Sequence, residues 1–178
     1  MAGGVFFSSG GYTALLQVVN APPAAAGGGF EAEPWRWGAL EWGRLEWLGA
    51  LVLFVGTLVF AINLVDSFIA NLTAAQENRL TWSPDMIGCA LFLVSGHLAM
   101  VAISGTWLPC RRPGELGWWI VAAYQLGSIF FAIAAVASLV HRDGDLVAAA
   151  IANWGTLTGA LCFAIAGVMQ RFERPEPA

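Results

Sequence analysis

The chain has 178 residues, of which 58% are hydrophobic and 11% charged, and its net charge is −4. Soluble domains carry about a quarter charged residues, so this chain lacks the charge to cover a water-soluble surface; its mean hydropathy of +0.67 points to lipid as its solvent. No basic stretch is interleaved with aromatic residues, which excludes nucleic acid as an expected partner.

Residues 1–20, MAGGVFFSSGGYTALLQVVN, are moderately apolar and begin without the basic segment of a secretory signal peptide. Gly10, Gly11, Gln17 and Asn20 dilute the stretch, so residues 3–19 are a weaker, fifth candidate span beside four firm ones. The segment is expected to be a truncated transmembrane helix, the second half of a hairpin whose first helix is missing. Residues 21–46 form a linker and interfacial segment. Pro22, Pro23 and the run Gly27–Gly29 need no fold, and Trp35, Trp37 and Trp42 alternate with Arg and Glu as headgroup-level residues do.

Four apolar runs follow, roughly 48–68, 86–106, 118–140 and 146–169, each near the ~20 residues that cross a bilayer as a helix. Residues 47–106 then make one helix hairpin and 118–170 a second, and 171–178 a cytoplasmic tail. Arg36, Arg44, Arg111, Arg112, Arg171 and Arg174 fall on one side against Arg79 and Arg142 on the other. The excess of Arg places that side, with the C-terminus, in the cytoplasm. All eight basic residues are Arg, a bias of GC-rich bacterial genomes.

Each firm span carries Gly and Phe four residues apart: Gly56 and Phe60, Gly88 and Phe92, Gly127 and Phe131, Gly159 and Phe163. A fifth copy is Gly3 and Phe7. The first and third spans align at an offset of 71 residues, as do the second and fourth, and Trp47 falls on Trp118 at the same offset. This is the pattern of an internal repeat, here of a two-helix unit. Residues i and i+4 share a helix face, so a Gly notch lies beside a large ring. In lipid such notches allow the close backbone approach that packs helices; Gly155 and Gly159 add a GxxxG pair. The expected role of all these residues is helix packing. The expected fold is an all-α polytopic transmembrane bundle built from a duplicated hairpin.

The segments GTLVF, GCALF, GSIFF and GALCF at the span centres resemble the YrhK-like family of small bacterial membrane proteins, in which each helix of a hairpin carries a Gly-Ser-x-x-Phe type signature. RLTWSPDMIGCALFLVSG (79–96) and WWIVAAYQLGSIFFAIAAVASL (118–139) look like longer actinobacterial members. The opening VFFSSGGYTALLQVVNAP resembles the end of an earlier helix in such relatives. The resemblance implies an integral membrane protein with no established activity and supplies no catalytic residues.

Ionisable and polar groups within spans are functional candidates by default. Here they are Asn63, Asp66 and Asn153, expected in a layer toward the outer side, and His97 and Gln125, expected deeper on the cytoplasmic side. They define a candidate polar pocket, which interhelical hydrogen bonding would equally explain. Cys89, Cys110 and Cys162 are widely spaced and form no CxxC or Cys/His cluster, so no disulfide framework or metal site is expected. Nor is a cofactor or a catalytic group. The expected function is structural or accessory, through contacts with another copy or a membrane-protein partner; the alternative is a small transporter or channel at the polar pocket.

Overall fold

A computed structural model describes residues 2–20, 34–108, 111–141, 143 and 145–172. The linker at 21–33, Cys110, Arg142, Arg174 and the tail from 173 lie outside them. The described chain is helical: α1 Ala2–Asn20, α2 Leu45–Asp66, α3 Ala74–Glu77, α4 Ser83–Ser104, α5 Leu116–Ala137 and α6 Ala149–Gln170. A π-helical turn, Asn78–Trp82, joins α3 to α4, so that Ala74–Ser104 runs as one helix. Four helices are long and apolar enough to cross a membrane. Three of them have 22 residues, about 33 Å at 1.5 Å per residue, which matches the ~30 Å hydrocarbon core. The expected spans sit within about three residues of α2, α4, α5 and α6, although the second helix begins earlier, at Ala74. α1 is a helix of 19 residues, as its position in the sequence suggests, and is shorter on apolar residues.

The helix ends have local causes. Gly105 adopts φ +69, and its N–H bonds the Val101 carbonyl; this left-handed conformation is one that glycine adopts without a Cβ penalty. Pro84 directly follows the π turn inside this continuous helix, where its missing N–H removes one donor to the preceding turn. Thr73 and Gln76 form a reciprocal capping box before α3. Arg36 Nη2 donates to the Val19 carbonyl at 2.6 Å and Arg112 Nη2 to the Ser104 carbonyl at 3.4 Å. Both cations thus satisfy carbonyls at helix C-termini.

Successive helices run antiparallel, and the neighbours in the bundle are α1 with α2, α2 with α4, α4 with α5 and α5 with α6. Residues 34–44, the turn after α4 and the end of α6 therefore share one end of the bundle. Arg36, Arg44, Arg111, Arg112 and Arg171 lie there; Arg79 lies at the other end.

The Gly/Phe pairs occupy the hairpin seams reciprocally. A Cβ on Gly56 would stand 2.8 Å from Phe92 Cε1, while Gly88 lies against Phe60 and the Gly56 carbonyl. In the other hairpin a Cβ on Gly127 would stand 2.6 Å from Phe163 Cδ2, and one on Gly159 would stand 3.0 Å from Phe131 Cδ2. Gly155 meets Ala134 and the Phe130 carbonyl on the same seam. The notches at Gly56, Gly127 and Gly159 thus hold a ring of the opposite helix, while Gly88 meets the Phe60 Cβ and backbone.

The rings converge at the centre. Phe131 lies 5.9 Å from Phe60, 6.3 Å from Phe92 and 5.5 Å from Phe163. Phe7 of α1 joins at 6.1, 5.5 and 5.6 Å from Phe60, Phe92 and Phe163. Most of these contacts are edge-on, the geometry favoured by the ring quadrupole. Five Phe from five helices thus meet in one cluster.

Candidate functional site

The intramembrane polar residues are set by this register. Phe60 lies across from Gly88 and Gly56 across from Phe92. Carrying the antiparallel pairing three residues further brings Asn63 opposite Asp85, near enough for the two side chains to interact. Cys89, one turn along α4, points its thiol at Asp85 Oδ1, 3.8 Å away. Cys89 is itself buried against Phe131 and Ala135. Asp85 is the ionisable residue that the sequence reading passed over, because it stands beside Pro84 just ahead of the expected start of the second span. The reciprocal Gly/Phe register is the signal that would have found it.

The five sequence candidates take separate places. Asn63 is half-buried on α2, opposite Asp85 of α4. Asp66 is half-buried at the last residue of α2. Asn153 is exposed near the start of α6, and α6 does not pack against α2 as a neighbouring helix. His97 lies on the outer stripe of α4 with Ile87 and Val94. Gln125 meets a different, buried face of that helix: its side chain covers Gly96, and its Oε1 has no hydrogen-bond partner. His97 and Gln125 therefore do not face one another.

The π turn anchors this region at the end of the bundle away from the Arg cluster. Asn78 Nδ2 donates to the Val140 carbonyl at 2.7 Å, and the Val140 N–H returns to Asn78 Oδ1 at 2.9 Å. Trp82 Nε1 donates to the Ala135 carbonyl at 2.8 Å. All three bonds tie the first hairpin to the second.

Two concavities flank the Phe cluster. One, of about 340 Å³, lies between the helices toward the Arg-rich end, with Phe92 and Phe163 at its inner limit and Gln17, Glu46 and Gln170 on its wall. Tyr124 Oη donates to Gln170 Oε1 at 3.2 Å beside it. The other is a cleft of about 730 Å³ between α1 and α6, lined by Gly4, Gly10, Gly11, Thr156, Ala160 and Gly167 among others. Besides these small residues it is lined by Phe6, Leu53, Leu64, Tyr124 and Gln170, and its inner edge is Phe7, Phe131 and Phe163. Among the described residues, no group of three or more His, Cys, Asp or Glu gathers to hold a metal ion.

No protein family, curated protein or solved structure matches the chain.

Proposed function

We propose that this chain is a multi-pass protein of a bacterial cell membrane that works by helix contact, as a structural or accessory component rather than an enzyme. On this reading it is a duplicated hairpin of the YrhK-like kind, with its C-terminus in the cytoplasm. The observation that carries the reading is the reciprocal fit of Gly56 with Phe92 and of Gly127 with Phe163. In lipid the hydrophobic effect gives little drive between helices, and notches of this kind supply the packing instead. The grouping of Arg36, Arg44, Arg111, Arg112 and Arg171 at one end of the bundle supports the orientation.

Native mass spectrometry on protein extracted from its host membrane in mild detergent tests the reading. A species heavier than the 18.9 kDa chain, carrying a second copy or a partner polypeptide, is expected. A population made only of the bare chain would count against it.

A second reading, a small transporter or channel, is favoured by one observation: Asp85 stands opposite Asn63 and 3.8 Å from the buried Cys89 thiol among the packed helices, and such carboxyls mark ion and proton paths. It needs Asp85→Asn to abolish flux through reconstituted vesicles. Unchanged flux, or none in the parent protein, would leave the contact reading alone.

A further inference from the structure

The seam between hairpins repeats as faithfully as the seam within them. α4 packs on α5 through two small residues seven apart, Cys89 against Ala135 and Gly96 against Gln125. α1 packs on α2 in the same way, through Gly4 against Leu64 and Gly11 against Phe54 and Thr57. The correspondence holds residue by residue. Phe7, Gly4 and Gly11 stand 85 residues before Phe92, Cys89 and Gly96, while Leu64, Thr57 and Phe54 stand 71 before Ala135, Ser128 and Gln125. The third socket of the series, 71 residues after Cys89 and Gly96, is Ala160 and Gly167 on α6. It is vacant: Ala160 is exposed, and a Cβ on Gly167 would meet nothing within 4 Å.

The hairpin face of α1 is vacant as well. Its Gly10 is equivalent to Ser95 of α4, which is buried and donates to the Gly49 carbonyl of α2 at 2.8 Å, and to Ala166 of α6, which is fully buried. Gly10 itself has nothing within 4 Å. Phe6, equivalent to Leu91 on the Gly56 seam, is 77% exposed. Gly10, Phe6, Ala160 and Gly167 all line the one cleft between α1 and α6. Two half-seams, each filled elsewhere in the bundle by an antiparallel helix, therefore face each other across an opening.

We infer that the α1/α6 cleft is the docking site for a transmembrane helix of a partner membrane protein. The helix would run antiparallel to α1 and α6 and complete a six-helix ring about the Phe cluster. The two helices that fill the equivalent positions define its chemistry. α2 presents Gly56, Thr57 and Phe60, and α5 presents Gly127, Ser128 and Phe131. The guest therefore carries Gly, then Ser or Thr, then Phe four residues after the Gly, with its ring entering the cluster beside Phe7 and Phe163. A second copy of this chain does not supply it, because its own α2 and α5 already spend those faces on their hairpin partners. The inference rests on the helix-contact reading and gives that reading its site and partner class.

The probe is a fluorescent synthetic peptide of α5, Leu116–Ala137, added to the full-length protein in phosphatidylcholine nanodiscs and followed by energy transfer. One peptide is expected to bind per protein. Ala160→Phe and Gly167→Phe, placed where the socket is open, are expected to weaken it at least about tenfold, the weight of one well-packed aromatic contact. With the protein unaltered, Phe131→Ala in the peptide is expected to do the same. Binding that ignores the socket substitutions would overturn the cleft as the site while leaving helix contact as the function. Absence of binding, with acyl chains occupying the cleft, would overturn both. Self-association of the protein through cysteines placed at Gly10 and Ala164 would make the occupant a second copy and overturn the partner helix.

Discussion

Gly127→Ala is the most informative single change to the bundle. The added methyl would stand 2.6 Å from Phe163 Cδ2, 2.8 Å from Cε2 and 3.0 Å from the Gly159 carbonyl oxygen. Carbon atoms rest at about 3.5–4.0 Å, so the ring or the helix must retreat by about 1 Å. The ring has little room: its neighbours Tyr124, Phe131 and Phe7 lie at 5.2, 5.5 and 5.6 Å between centroids. The carbonyl belongs to the α6 backbone, so relief on that side means parting α5 from α6. Overpacking of this kind costs about 1–3 kcal/mol, against which the better helix propensity of Ala returns up to about 1 kcal/mol. A net loss of about 1–2 kcal/mol is expected. Reversible unfolding in mixed dodecyl maltoside and SDS micelles, followed by Trp fluorescence, measures it. Gly167→Ala, at a position with nothing within 4 Å, is the comparator and is expected to be neutral or slightly stabilising. A Gly127→Ala protein as stable as Gly167→Ala would refute the notch argument.

Other changes should separate the seams from the surface. Phe131→Ala removes the ring that touches Phe60, Phe92 and Phe163, and should cost about 3–5 kcal/mol in the same assay. Gly11→Ala presses a methyl to 3.1 Å from Thr57 Oγ1 and 3.4 Å from the Phe54 backbone. Hydrogen exchange should then rise in α1 while α5 and α6 stay protected. His97→Ala alters a residue on the outer stripe of α4, so stability should move by less than about 0.5 kcal/mol; a larger loss would mean that His97 is held by a partner or a polar path.

Length and hydropathy made the four long helices legible, since a run near 20 apolar residues in a chain this poor in charge has few other uses. The Gly/Phe spacing pointed to the faces that pack, because i and i+4 cannot leave one side of a helix. What the spacing did not reveal directly was depth and rotation of the polar residues. α4 is apolar nearly all round, so its sequence carries no stripe to tell His97, which faces out, from Gly96, which faces Gln125. Asp85 was lost for a different reason: beside Pro84 it reads as loop, and only the antiparallel register to Asn63 brings it inside. The cleft was foreshadowed by the weak first helix with its Gly3 and Phe7, but its second wall, Ala160 and Gly167, reads in sequence as ordinary small residues of a span.

The central claim, that the Gly56, Gly127 and Gly159 notches hold the ring opposite, is tested most directly by a double-mutant cycle at the other hairpin. Gly56→Ala brings a methyl to 2.8 Å from Phe92 Cε1, and Phe92→Ala removes that ring. Because the clash disappears with the ring, the double variant should be more stable than the sum of the single effects by at least about 1 kcal/mol, whereas independent sites add within about 0.3–0.5 kcal/mol. A coupling above 1 kcal/mol in the membrane-mimetic unfolding assay is the predicted result, and simple additivity would contradict the account.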